Sequence, residues 1–373
     1  MNDFCLFTII SKNYISYARV LIKSFLEHHP GTKTFVLLAD KIDGYFDPSQ
    51  EAFEVIEADQ LGIRDFDSFS FKYNIIEFNT AVKPFFFEML FAKGFERVVY
   101  LDPDIVVFKP LDEILTALDR HSIILTPHMM TPIPEDGRFP TDTDILKAGG
   151  FNLGFLALSK GEVSGRLLSW WKDRLYDKCR QAPFSGYGVD QIWLSLVPCF
   201  FDDYYILKNP GYNVAYWNLH ERKVAREGDE LFVNGYPLSF FHFSGFMMER
   251  PGTISKFQNR YDVRGVLDLG ELFTLYKRLL IENGYTETKH WPYHYGFFKS
   301  GSKISELARG IYLGLGIKSD TFGNPFERFW FRLLNIRYFR TIFSKNFVQV
   351  MLDKFFLSVW KRILRNRSKN KEL

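Results

Sequence analysis

The chain opens on an apolar run, Phe4-Cys5-Leu6-Phe7-Thr8-Ile9-Ile10, which reads as a buried strand. Ile15, Ala18, Leu21, Ile22, Phe25 and Leu26 then recur at helical spacing until Pro30-Gly31 stops them. Thr34 to Ala39 predicts a second strand closing on Asp40, and Phe53 to Ile56 a third. Thr80 reads as the N-cap of a helix with Lys83-Pro84 in its first turn and Gly94 at its end. Arg97 to Leu101 is a strand that runs straight into Asp102-Pro103-Asp104, and Ile105 to Phe108 continues extended. Strand and helix in alternation are the pattern of a doubly wound α/β sheet.

Between residues 109 and 240 the pattern is less regular. Ser122 to Leu125 and Phe151 to Leu158 predict strands, Ser164 to Lys178 and Val189 to Val197 helices, and Phe240 to Phe243 a short strand. Residues 127–143 hold four prolines and read as a long loop. After about residue 262 the spacing is helical, over 270–283, 303–315 and most of 325–367. The expected organisation is an α/β domain over 1–262 and a helical, basic C-terminal extension over 263–373.

Composition adds two constraints. With 46% hydrophobic and 24% charged residues the chain of 373 is a folded one, and its 40 Phe promise a large aromatic core. The net charge of +3 hides an asymmetry: residues 301–373 carry 15 basic and 5 acidic residues, net +10, leaving 32 and 39, net −7, for the rest. An acidic body argues against duplex nucleic acid, so no nucleic-acid partner is expected. Cys5, Cys179 and Cys199 lack CxxC spacing and make no disulfide framework, which points to a reducing, cytoplasmic setting. No signal peptide opens the sequence, and no run of 18 apolar residues exists.

Four short motifs carry candidate chemistry. Asp102-Pro103-Asp104 stands at the carboxyl end of a strand, where open α/β sheets bind ligands. Asp102 and Asp104, at i and i+2, share one face of an extended chain, and Pro103 ends regular pairing and lets the chain turn there; the competing reading is a turn of solvated acids. His242 lies on an aromatic strand, Phe241-His242-Phe243-Ser244-Gly245, as a ligand or as a core histidine. Asn152-Leu153-Gly154 interrupts an apolar strand, as a binding feature or a bulge. Asp190-Gln191 stands where a helix starts, as a site pair or as an acid favoured by the helix dipole. There is no GxGxxG after the first strand, no Gly-Lys-Ser/Thr loop, no His-Glu-x-x-His and no Gly-x-Ser-x-Gly.

In this order, on these elements, the motifs resemble glycosyltransferase family 8 and related GT-A nucleotide-sugar transferases, over roughly residues 4–260. A further likeness, in His242 to Phe246 followed by Ile254 to Arg260, is to a bacterial branch of such transferases. The resemblance implies a GT-A-like (Rossmann-like) mixed sheet flanked by helices. It implies Asp102, Asp104 and His242 as ligands of Mn²⁺ or Mg²⁺, and Asn152, Gly154, Asp190 and Gln191 as the lining of the donor-sugar pocket. Thr8, Ile10 and Asp40 would lie at the nucleotide, and Lys83 and Lys256 would face the donor's phosphates. The implied activity is transfer of a sugar from a nucleotide sugar, a UDP-sugar, to a glycan or lipid-linked acceptor. The implied stereochemistry is retention, with an inverting enzyme using Asp190 as base and a non-catalytic glycan-binding protein as alternatives. Pro103 and the Ile192-Trp193 that follows Gln191 depart from the family's usual pattern and leave the acceptor open.

The tail interleaves Phe326, Trp330, Phe331, Phe355 and Trp360 with Arg328, Arg332, Lys354 and Lys361. Basic and aromatic residues on amphipathic helices suit an anionic membrane surface, each Lys or Arg adding about 1 kcal/mol. A helical extension packed on the body or on a second subunit is the other reading.

Overall fold

The computed structural model describes residues 3–250, 252–263, 267–314 and 323–327. β1 (Phe4–Ile10), α1 (Ile15–His28), β2 (Lys33–Leu38) and β3 (Glu54–Glu57) follow the apolar runs that predict them. Three helices come next, α2 (Phe66–Lys72), α3 (Ile75–Ala81) and α4 (Lys83–Ala92). Thr80 is not the cap of α4. It closes α3, where its hydroxyl turns back to the carbonyls of Ile76 and Glu77 at 3.0 Å. α4 starts from Val82 with no side-chain cap; the capped helix is α3, where Asn74 Oδ1 accepts from Ile76 N and Glu77 N while the Glu77 carboxylate accepts from Asn74 N.

β4 (Arg97–Leu101) and β5 (Ile105–Val107) flank the acidic turn. α5 (Asp112–Leu118), β6 (Ile123–Leu125), α6 (Asp142–Ala148), β7 (Phe155–Ser159) and α7 (Glu162–Lys178) follow. The strand expected from Phe151 begins only at Phe155, because Asn152-Leu153-Gly154 makes a turn before it. A ribbon of β8 (Gln181–Ala182) and β9 (Tyr187–Gly188) leads into α8 (Gln191–Leu194) and α9 (Val197–Phe200). One helix was expected over 189–197. Pro198 divides it, since proline has no N–H to give Leu194 and its ring crowds that carbonyl. β10 (Tyr204–Ile206) precedes a small antiparallel sheet of β11 (Val224–Glu227), β12 (Glu230–Val233) and β13 (Tyr236–Pro237), and then β14 (Phe240–His242). α10 (Leu267–Glu282), α11 (Tyr285–Thr288) and α12 (Glu306–Gly314) complete the described chain.

The main sheet has seven strands in the order β10-β6-β7-β4-β1-β2-β3. β7 runs antiparallel to both neighbours, and the other pairings are parallel. The expected mixed α/β sheet flanked by helices is what the chain forms. One face buries Phe7, Phe86, Phe87, Tyr100, Leu156 and Trp171, with Phe7 edge-on to Phe86 and Phe87 at 5.0 and 4.8 Å. The other buries Leu6, Leu21, Phe25, Val99, Phe155 and Phe240. Each such buried side chain contributes about 1.5–3 kcal/mol, so apolar burial on both faces fixes the strand order that carries the site.

The described residues beyond 262 pack on this body. Tyr276 of α10 stacks on Phe243 at 3.8 Å. The Arg309 guanidinium of α12 donates to the carbonyls of Phe71 and Tyr295 at 2.7 and 2.6 Å. Phe326, which the sequence pattern placed among interfacial aromatics, is buried against Phe71 at 5.1 Å. The rest of the expected 325–367 helix, with Trp330, Phe331, Phe355 and Trp360, lies outside the described residues. Among the described residues no helix is long and apolar enough to cross a membrane.

Candidate functional site

β4 carries sheet pairing up to the acidic turn. Leu101 pairs with Phe155, and Asp102 N donates to Gly154 O at 2.8 Å. Pro103 has no N–H, and Ile105 N returns to Asp102 O at 3.2 Å, closing a turn. Across this turn one oxygen of each of the two carboxylates lies within 4.8 Å of the other. β5 then pairs antiparallel with β14, setting His242 opposite Ile105, and Phe243 N donates to Asp104 O at 2.8 Å. A histidine far along the chain thus arrives beside the turn.

His242 Nε2 lies 3.0 Å from Asp104 Oδ1 and 3.6 Å from Asp102 Oδ2. One ligand atom of each of the three lies within 4.8 Å of the others. Two carboxylate oxygens and an imidazole nitrogen are a donor set for Mn²⁺ or Mg²⁺. Carboxylates this close repel each other, and a bound cation relieves that repulsion. Gly154 completes the seat: a Cβ there would lie 2.3 Å from His242 Cε1, so the ring rests against bare backbone. The residues present fit a divalent ion.

The charges are linked. Burial pushes the Asp102 carboxyl above the ordinary range and Asp104 adds to that push, while Lys83 and His242 oppose it. Burial disfavours the charged His242 ring, but Asp104 and Asp102 outweigh it, so the ring holds its proton more tightly than an ordinary histidine. The Tyr100 hydroxyl donates to Asp102 Oδ1.

Lys83, in the first turn of α4, is buried. Its Nζ lies 2.6 Å from Asp190 Oδ2 and donates to Leu153 O at 2.9 Å, and it sits 4.1 Å from the Tyr100 ring centroid. Gln191 Oε1 accepts from Leu153 N at 3.2 Å. Leu153 therefore links Lys83 to Gln191, and Tyr100 links Lys83 to Asp102. Asn152 is buried, and its carboxamide binds inside the protein to Gly154 N, His128 and Asn213. The structure brings Lys83, Asp102, Asp104, Asn152, Gly154, Asp190, Gln191 and His242 into one connected neighbourhood.

The remaining expected residues stand differently. Thr8 and Ile10 are buried in β1, in register with Val36 and Leu38, and Thr8 Oγ1 has no hydrogen-bond partner among the described residues. Asp40 is fully buried, and its carboxylate accepts from Lys12 N, Lys41 N and His294 N at 3.1, 2.9 and 2.8 Å. Lys12 Nζ adds an ion pair to Asp40 at 3.4 Å and to Asp43 at 2.7 Å. Lys256 is exposed, and its N–H donates to Gly245 O at 3.0 Å. Sequence reasoning missed Tyr100, His128, Asn213 and Trp217. Trp217 packs edge-on to both His242 and His128, at 5.2 and 5.3 Å.

The chain is similar in sequence to two Bacillus subtilis (strain 168) proteins, the uncharacterized proteins YfnF and YfnD. It is 27% identical to YfnF over 173 residues, 46% of this chain and 57% of YfnF, so it spans a little over half of that relative. It is 26% identical to YfnD over 256 residues, 66% of this chain and 79% of YfnD. No family model matches the chain. Among solved structures, the glycosyltransferase GlyE of Streptococcus pneumoniae TIGR4 aligns over 79% of this chain and 67% of its own, with 16% identity and a TM-score of 0.44. The galactosyltransferase LgtC, solved with donor and acceptor sugar analogs, aligns over 73% of this chain and 95% of its own, with 18% identity and a TM-score of 0.40.

Proposed function

We propose that this chain is a metal-dependent glycosyltransferase that moves a sugar from a nucleotide-sugar donor, a UDP-sugar, to a glycan or lipid-linked acceptor with retention. The observation that carries the reading is the convergence of Asp102, Asp104 and His242 at the carboxyl end of β4, with the buried Lys83–Asp190 pair beside it. Mn²⁺ or Mg²⁺ bound there supplies Lewis-acid stabilisation to the negative charge that grows on the departing diphosphate. Lys83 holds Asp190 and the Leu153 carbonyl in place, and Gln191 holds the Leu153 N–H, so the backbone at Leu153 is fixed beside the metal-ligand cluster before a donor binds. Lys256, which is exposed, is the second cation assigned to the diphosphate in this reading.

Retention is favoured because the Asp190 carboxylate is paired with Lys83 at 2.6 Å, which leaves it a poor candidate for the free base an inverting enzyme needs. With no such base, the acceptor's hydroxyl proton passes to the departing phosphate oxygen. The test is a panel of nucleotide sugars incubated with the full chain, with Mn²⁺ or with EDTA, reading nucleoside diphosphate release. Metal-dependent release from one class of donor is expected. No release from any donor under both conditions overturns the enzyme reading.

A further inference from the structure

Behind His242 runs a buried line of polar groups whose direction is fixed at both ends by the backbone. His128, Asn152, Asn213 and His242 are 3%, 7%, 0% and 3% exposed, so their hydrogen bonds are made within the protein. His128 Nδ1 lies 2.7 Å from Gly149 O. A carbonyl can only accept, so Nδ1 carries the proton. Burial lowers the His128 pKa to about 4, so the ring is neutral and Nε2 is an acceptor. That nitrogen lies 3.2 Å from Asn152 Nδ2, the donor end of the carboxamide.

The same orientation follows from the other side. Gly154 N–H can only donate, and it donates to Asn152 Oδ1 at 3.0 Å. Asn152 Oδ1 also accepts from Asn213 Nδ2 at 3.1 Å, which donates as well to Thr126 Oγ1 at 2.8 Å. The Asn213 oxygen is thereby turned to His242 Nδ1, at 3.3 Å. An oxygen there requires a proton on Nδ1 and leaves Nε2 as the nitrogen that meets Asp102 and Asp104. Asn213 holds this pose at φ +53°, a left-handed backbone that Asn tolerates better than most residues. Asn218 anchors the stretch, donating to the carbonyls of Asn213 and His128 at 3.0 and 3.3 Å.

We infer that His128 and Asn213 are positioning residues which, through Asn152, fix the Nδ1–H tautomer of His242 and keep Nε2 directed at Asp102 and Asp104. The inference deepens the metal-site reading proposed above and rests on it for its functional meaning. A free imidazole carries its proton on either nitrogen. The line of amides removes that choice, so a ligand nitrogen is presented with no tautomer change and no ring rotation. Partners behind a ligating histidine typically tune metal affinity about 10–100-fold.

The test uses the full chain with ¹⁵N-labelled histidine. Long-range ¹H–¹⁵N correlation of the protein in excess diamagnetic Mg²⁺, at a pH where the rings are neutral, reads each tautomer with the carboxylate charge beside Nε2 neutralised. Wild type should show His242 and His128 as Nδ1–H. Asn213→Gly keeps the left-handed backbone but removes the carboxamide, and should release His242 to Nε2–H or a mixture. Asn213→Asp, which keeps an acceptor oxygen, should retain Nδ1–H. Thermal unfolding identifies the variants that remain folded. Mn²⁺ affinity, read by electron paramagnetic resonance, should fall about 10–100-fold in Asn213→Gly. Asp104→Asn should lose Mn²⁺ while keeping the His242 tautomer. A wild-type His242 in the Nε2–H form overturns the inference even if no variant folds, as does a folded Asn213→Gly with unchanged tautomer and affinity. Wild type that shows Nδ1–H yet binds no Mn²⁺ supports the tautomer assignment and removes the metal reading instead.

Discussion

Gly154→Ala is the smallest change that should disable the candidate metal site. The added methyl would lie 2.3 Å from His242 Cε1, 2.6 Å from His242 Nδ1 and 2.8 Å from Asn152 Oδ1. Carbon contacts are repulsive well inside about 3.5 Å, so the ring must retreat by about 1 Å. A retreat of that size breaks the 3.3 Å bond to Asn213 and moves Nε2 off the carboxylates. Gly154 does not lie at positive φ, so the penalty is steric rather than conformational. Overpacking of this kind costs about 1–3 kcal/mol of stability, which leaves a well-packed sheet folded. Metal affinity should fall further in proportion, by about 10–100-fold, because the ligand's whole support is displaced. Gly150→Ala is the control, since a Cβ there meets nothing within 4 Å. Calorimetric Mn²⁺ titration beside thermal unfolding separates the two effects. A Gly154→Ala protein that binds Mn²⁺ as wild type does refutes the argument that the glycine exists to seat His242.

Three other outcomes follow from the same geometry. Lys83→Met leaves Asp190 buried without its partner and should cost about 3–5 kcal/mol in urea unfolding, whereas Lys83→Met with Asp190→Leu should recover most of it; equal losses in single and double variants contradict the pairing. His128 is held neutral with its pKa lowered to about 4, against about 6.5 when unfolded, so the unfolded chain binds the extra proton first. Stability should therefore fall as pH drops from about 6.5 to 4, by up to about 3 kcal/mol, and His128→Gln should remove that slope in urea melts across the window. Ending the chain at residue 300 removes Ile304, Arg309, Tyr312 and Phe326 from buried positions and should cost at least the 3–5 kcal/mol of one large core truncation; a shortened chain that melts with the intact one would show the extension to be dispensable.

Much of the frame is legible in the sequence because its signals are local. Val98 to Leu101 is an unbroken apolar run with a proline-containing breaker behind it, and a strand ending at Leu101 results. The α3 cap is legible in Asn74 and Glu77, three residues apart in capping-box spacing, whereas Thr80, read as the cap of the next helix, ends α3 instead. Asp102 and Asp104 are readable as a pair, whereas His242 joins them only through β5–β14 pairing, which no local pattern encodes. His128 and Asn213 lie in irregular segments, far apart in sequence, and their partners are set by tertiary contact alone. Neither periodicity nor spacing marks them. Asp40, set at the nucleotide by the family resemblance, accepts from the N–H groups of Lys12, Lys41 and His294, a network reaching a residue some 250 positions away that no local pattern encodes.

Linkage between metal and donor tests the proposed activity most directly. A UDP-sugar titrated into the full chain by calorimetry, with Mn²⁺ and with EDTA, compares wild type with Asp104→Asn. Wild type should bind the donor at least about 10-fold more tightly with Mn²⁺, since hard carboxylate ligands and a diphosphate share one ion, and Asp104→Asn should bind weakly under both conditions. Donor binding that is equal with Mn²⁺ and EDTA, and unchanged by Asp104→Asn, would contradict the assignment of Asp102, Asp104 and His242 as the metal centre of a nucleotide-sugar transferase.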